Sequence, residues 1–195
     1  MLATSIHFIL GIGILMLPFS VNAHTGLGAH NGWTHGFFHP LSGVDHILAM
    51  VAVGIWAAQM GGRAVWLMPL TFVIVMILGG MLGMITLPFV FVEHGIALSL
   101  LVMGGLIAAT TRLPLIANMI LISVFALCHG YAHGNEMLPG LSMVSYAAGF
   151  AFATALLHLS GVGLALGSHK LDRMHWLRMS GVVTALIGAG FLLTG

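Results

Sequence analysis

Residues 65–85 read VWLMPLTFVIVMILGGMLGMI, 21 positions without a charged side chain. At about 1.5 Å of rise per residue, such a run matches the roughly 30 Å hydrocarbon core of a bilayer, so it reads as a spanning helix. Five further apolar runs surround it, at about Pro40 to Ala58, Phe89 to Thr111, Leu115 to Cys128 or slightly beyond, Leu141 to Gly167 and Met179 to Thr194. Breakers separate them: Gly61-Gly62, Pro88, Pro114, Pro139-Gly140 and the polar stretch from Ser168 to Arg178. Pro40 suits a first helical position, where its missing N–H costs nothing. Pro69 falls within the first turn or so of its span.

The whole chain carries the same signal. Of 195 residues, 59% are hydrophobic and 5% charged, with a mean hydropathy of +1.12. A soluble domain has about a quarter of its residues charged, so a water-facing globule is excluded. The expected fold is all-α: a polytopic integral membrane protein with six transmembrane helices after an N-terminal signal peptide, or with a seventh, uncleaved helix. A net charge of +1 with no basic run excludes nucleic acid as a partner, because phosphate neutralisation needs clustered Lys and Arg. A lone Cys128 excludes an intramolecular disulfide and a cysteine zinc cluster. No Walker motif is present, so the chain does not bind ATP by that route.

Residues 1–23, MLATSIHFILGIGILMLPFSVNA, form an apolar stretch ending in small residues, as a cleaved secretory signal does, although no Lys or Arg opens it. Residues 24–38 form a His-rich lead-in and 39–195 the six-helix transmembrane domain. Cleavage after Ala23 would leave His24 with a free α-amine beside its imidazole, a chelating pair. The five basic residues, Arg63, Arg112, Lys170, Arg173 and Arg178, fall after the first, third and fifth spans. The positive-inside rule makes those loops cytoplasmic and both ends of the mature chain periplasmic, in a bacterial inner membrane.

Twelve histidines outnumber the five basic and four acidic residues together. With the orientation above, His24, His30, His35 and His39 precede the first span on the outside, and Asp45 and His46 lie just within it. Glu93 and His94 enter the third span from the same side, and His129, His133 and Glu136 sit where the fourth emerges. A carboxylate in hydrocarbon costs roughly 2.5–3.5 kcal/mol on insertion scales, so these acids should face a partner or water, and a cation is such a partner. On one continuous helix His39, Gly43, His46, Met50 and Gly54 form a narrow stripe, with Asp45 about 100° round from His46. His39 and His46 would then stand about 10.5 Å apart, which suits successive stations. His129 and His133, at i and i+4, share a face and can grip one ion. The expected metal ligands are therefore His39, Asp45, His46, His129, His133, Glu136, Glu93, His94 and His24. His158, deeper in the fifth span, reads as a helix-to-helix hydrogen-bonding residue, Met50 and Cys128 as packing residues, and His169 and His175 as cytoplasmic loop residues.

His39-Pro40-Leu41-Ser42-Gly43-Val44-Asp45-His46, continuing through Met50 to Gly54, resembles the first-helix signature HPxxGxDHxxxMxxxG of the HupE/UreJ family of nickel permeases. His129-Gly130-Tyr131-Ala132-His133-Gly134-Asn135-Glu136 is similar to that family's second motif, HGxxHGxE. The residue before the second motif is usually Phe and is Cys128 here, which leaves open whether the thiol alters metal preference. The resemblance implies uptake of Ni²⁺, in some members Co²⁺, and functional roles for His39, Asp45, His46, His133 and Glu136. The spacing of the residues alone implies only a divalent metal. No prosthetic group is expected; the ion is cargo, the bilayer is the surrounding partner, and the chain is not expected to be an enzyme. An intramembrane zinc hydrolase and a metal-binding accessory or sensor subunit are the competing readings, and both predict binding without flux. Because ligation needs neutral imidazole, acid should weaken uptake.

Overall fold

The computed structural model describes residues 32–85 and 91–194. Among the described residues there are seven α-helices and no strand: α1 (Gly32–Ser42), α2 (Val44–Met60), α3 (Ala64–Ile85), α4 (Val92–Ala109), α5 (Leu115–Asn135), α6 (Met143–Lys170) and α7 (Met174–Thr194). Helices α3 to α7 are each long and apolar enough to cross a membrane, and α1 with α2, bent by 85° at their junction, makes a sixth crossing if the pair is one span. The all-helical, multi-span fold expected from composition is therefore present. The signal-like segment 1–23 and His24 lie outside the described residues.

The first span departs from expectation. Pro40 does not open a helix; it lies inside α1, two residues before its end. A proline there has no N–H to offer the carbonyl four residues back, which weakens the helix. Ser42 Oγ also donates to the His39 carbonyl at 2.6 Å, an alternative to continued helical bonding. Gly43 then takes an extended conformation, φ −108° and ψ 129°, and α2 restarts beyond it. The single stripe running from His39 to Gly54 is thus split across two helices. Asp45 falls in the first turn of α2, where the helix dipole favours negative charge.

Two other boundaries move. Helix α5 continues to Asn135, carrying His129 and His133 inside it, and α6 and α7 extend into the polar stretch, leaving only Leu171–Arg173 between them. His169 and His175 therefore sit in helical end turns. Long basic side chains near a span end reach the interface with their charged tips, so Lys170 and Arg178 do not force the helices to stop.

The helices pack backbone to backbone. A Cβ added to Gly54 of α2 would strike the His158 carbonyl of α6, and one added to Gly130 of α5 would strike the Met76 carbonyl of α3. Close approach of this kind substitutes for a hydrophobic driving force, which lipid does not supply. Large apolar side chains such as Ile74, Leu78, Ile116 and Ile120 point outward, a surface that water would not tolerate and acyl chains do. At one end of the bundle Arg178 Nε donates to the Ala108 carbonyl at 2.8 Å, tying the start of α7 to the end of α4. The basic residues collect at that end. His39, Asp45 and Glu136 collect at the other.

Candidate metal centre

The break at Gly43 builds the site. It turns α1 across the top of the bundle, so that His39, in the last turn of α1, meets Glu136, the residue that caps α5. His39 Nε2 and Glu136 Oε2 are 2.9 Å apart. His133, one turn back on α5, brings Nδ1 to 3.3 Å from the same oxygen, and its ring meets that of His39 edge-on at 4.8 Å. One donor atom from each of His39, His133 and Glu136 lies within 4.8 Å of the others. His46, on the first turn of α2, places its ring 4.3 Å from that of His133. His39 and His46 are therefore not stations spaced along a helix; both converge on His133. A cavity of about 250 Å³ lies among them, lined by His39, Asp45, His46, His133 and Glu136.

Gly43 has a second use. A Cβ there would come within 2.6 Å of Asp45 Oδ1 and 2.7 Å of His46 Nδ1, so only glycine lets these side chains fold back over the junction. They bond each other, His46 Nδ1 to Asp45 Oδ1 at 2.8 Å. An ionised carboxylate can only accept, so Nδ1 carries the proton and His46 Nε2 keeps its lone pair, which is buried and has no hydrogen-bond partner. The carboxylate–imidazole–metal arrangement of many sites uses this tautomer. His133 is buried, and neither of its ring nitrogens makes an aligned hydrogen bond.

Glu136 stands just beyond the end of α5, about half exposed. Its contacts with His133 and then His39 hold its carboxyl well below the usual carboxylate range, against the opposing effect of partial burial. The site thus offers one fixed anion and several imidazoles. Mixed imidazole and carboxylate donors of this kind suit Ni²⁺, Co²⁺ and related divalent ions.

Not every expected ligand joins. Glu93 and His94 lie exposed at the start of α4, and among the described residues no contact links them to the cluster; the third span does not deliver its polar pair. His129 is fully buried one turn below His133, its ring 5.5 Å from that of His46. His158 is also fully buried, but neither ring nitrogen has a hydrogen-bond partner, so it does not glue helices as expected. Met50 packs in the core. Cys128 Sγ faces Gly95 of α4, where an added Cβ would lie 2.7 Å from it.

Helix α6 supplies what the motifs did not announce. Phe150 lies 4.3 Å from the His133 ring and Tyr146 lies 5.9 Å from the His39 ring, centroid to centroid. The signal was available as a buried i, i+4 series, Tyr146, Phe150, Thr154 and His158, along one face of α6.

The family model for HupE / UreJ protein matches residues 12–191. The chain belongs to the HupE/UreJ family. It is 42% identical over 182 residues to Protein HupE of Rhizobium leguminosarum bv. viciae, an alignment covering 93% of this chain and 95% of that relative. No solved structure matches. The HupE/UreJ motifs recognised in the sequence are the segments that here form the α1–α2 junction and the end of α5, so the family's two signatures face each other across one cavity.

Proposed function

We propose that this HupE/UreJ protein is a permease carrying Ni²⁺, or Co²⁺, from the periplasm to the cytoplasm by secondary or facilitated transport. Family membership supports a role in nickel or cobalt transport. The observation that carries the reading is the convergence of His39, His133 and Glu136 donor atoms within 4.8 Å at one end of a multi-span bundle. The opposite end holds the basic residues, which the positive-inside rule assigns to the cytoplasm. The cavity therefore opens toward the periplasm.

The ion exchanges part of its water shell for the His39 and His133 imidazoles and the Glu136 carboxylate. His46, oriented by Asp45, offers the next lone pair inward. Residues 24–38 supply further imidazoles that raise the local ion concentration. In the absence of metal, His39 Nε2 and Glu136 Oε2 bond each other, so the ion has to break that contact to use both donors, and because an imidazole must be neutral to coordinate, acid opposes binding.

Liposomes holding only the purified protein test this directly, with radiolabelled Ni²⁺ and Co²⁺ outside and uptake measured with and without a pH gradient. Uptake well above protein-free liposomes is expected. Binding without uptake would overturn the permease reading in favour of an accessory or sensor role.

A further inference from the structure

Below the outer cluster lie two histidines that no hydrogen-bond network explains. His129 Nδ1 approaches the Phe125 carbonyl at 2.9 Å. A carbonyl only accepts, so Nδ1 carries the proton and Nε2 is left as a bare lone pair, with no hydrogen-bond partner and no solvent contact. This is the tautomer of a metal-ligating histidine whose other nitrogen is anchored on backbone. His158 is 1% exposed, and both its ring nitrogens lack a hydrogen-bond partner. Buried polar atoms left unsatisfied are uncommon in folded proteins and call for a reason.

The two rings share a neighbour. Phe72 of α3 meets His129 at 5.7 Å and His158 at 5.1 Å, both edge-on. Side chains lean toward the N-terminus of their own helix. Helix α5 starts at the basic end of the bundle and α6 at the histidine end, so His129 leans down and His158 leans up, toward a common level. One turn above His158, Thr154 Oγ1 lies 3.8 Å from Met76 Sδ, which adds a hydroxyl and a soft thioether to the same buried layer.

We propose that His129 Nε2 and His158 form a second, deeper station for a divalent transition-metal ion, which takes the ion on from the outer cluster. The proposal deepens the permease reading and rests on it for the direction of travel. Its donors are all neutral. A divalent ion held in a dry layer by neutral imidazoles and a thioether is held more weakly than one facing Glu136, and a station on a transport path needs that property in order to let go. The chain from His46 to His129 is short, 5.5 Å between ring centroids, so transfer inward is imidazole to imidazole.

The test uses the full-length protein in detergent and in liposomes. Titration with Co²⁺, followed by its visible absorption, is expected to show two classes of site: a tighter, wetter outer one, and a weaker inner one with the more intense bands of low coordination. His158→Leu is expected to keep the outer class within about twofold, to lose the inner class, and to lower Ni²⁺ uptake at least about tenfold. It should also melt no lower than the wild type, because it removes unsatisfied polar atoms, whereas a structural histidine would lower the melting temperature when replaced. His158→Gln, which stays polar but ligates poorly, is expected to lose the inner class too, and carries the comparison if the Leu variant does not insert. A single class of site in the wild type, or either variant binding and transporting as the wild type does, overturns the station. Wild-type liposomes with no uptake, together with an inner class that vanishes in His158→Leu, would overturn the permease reading and leave the station standing.

Discussion

The α1–α2 span and α3 solve the same problem in opposite ways. Helix α3 is one continuous helix of 22 residues with the highest mean hydropathy of the five single-helix spans, 2.3 over 18 of its residues. It crosses, packs against α5 and presents Ile74 and Leu78 to lipid. The α1–α2 pair gives up continuity: Pro40, Ser42 and Gly43 interrupt it, and the interruption turns an imidazole across the bundle. Irregular backbone at membrane depth is tolerated only where protein or a water-filled cavity satisfies it, and here it borders the cavity that holds the candidate ligands. The unbroken helix supplies the wall. The broken one supplies the chemistry.

Removing the residue on which both halves of the broken span converge should have the largest effect. His133→Ala takes away the ring that lies against both His39 and His46, and Ni²⁺ uptake by inserted protein should fall at least about a hundredfold, beyond the 10–100-fold usual for partners that only orient a ligand. Near-normal uptake by inserted His133→Ala would show that the convergence is incidental.

Gly43→Ala sharpens the comparison at the break itself. The backbone angles of Gly43 suit alanine, so conformational strain is not the cause of any loss. The added Cβ, 2.6 Å from Asp45 Oδ1 and 2.7 Å from His46 Nδ1, has to push that pair aside. Uptake should drop about tenfold while protein level and melting temperature change little. Equal uptake would mean that the Asp45–His46 bond does not orient a ligand.

A smaller, pH-resolved effect is expected at Glu136. Because its carboxyl is held below the usual range, it stays ionised through neutral and mildly acidic pH. Lowering the pH from about 7.5 to 5.5 should therefore weaken Ni²⁺ binding through the histidines alone. Glu136→Gln should weaken binding severalfold at every pH in that range without changing the slope, as read by calorimetry. A slope that flattens in the variant would assign the titration to the carboxylate. At the other limit, Leu78→Ile on the lipid face of α3 should leave uptake unchanged and stability within about 0.5 kcal/mol.

Much of this was legible beforehand, and for a physical reason. Spanning segments announce themselves by length and hydropathy, so α3 could be bounded from Val65 to Ile85 and is found from Ala64 to Ile85. The spacing of His129, His133 and Glu136 lies within one helix, and intrahelical geometry follows directly from residue number. What the sequence did not reveal was three-dimensional. The run from Pro40 to Ala58 is apolar enough to hide a break, because hydropathy does not register an extended glycine. Glu93 and His94 share the end of the bundle with the cluster, yet they face outward, and depth alone does not distinguish facing from neighbouring. The buried face of α6, from Tyr146 to His158, carries no signature of its own, because aromatic and small residues at i, i+4 usually mark ordinary helix packing.

At 28 residues, α6 is the longest helix described, about 42 Å end to end against a hydrocarbon layer of roughly 30 Å. It must tilt, or stand proud of one leaflet. Since its length carries Tyr146 and Phe150 beside the outer cluster and His158 below it, its inclination sets the vertical spacing of the ligands it touches. Mismatch between a helix and its bilayer is relieved by tilting at only fractions of a kcal/mol per ångström. The thickness of the surrounding lipid thus becomes a setting of the pathway, and acyl chain length a variable as relevant to flux as metal concentration.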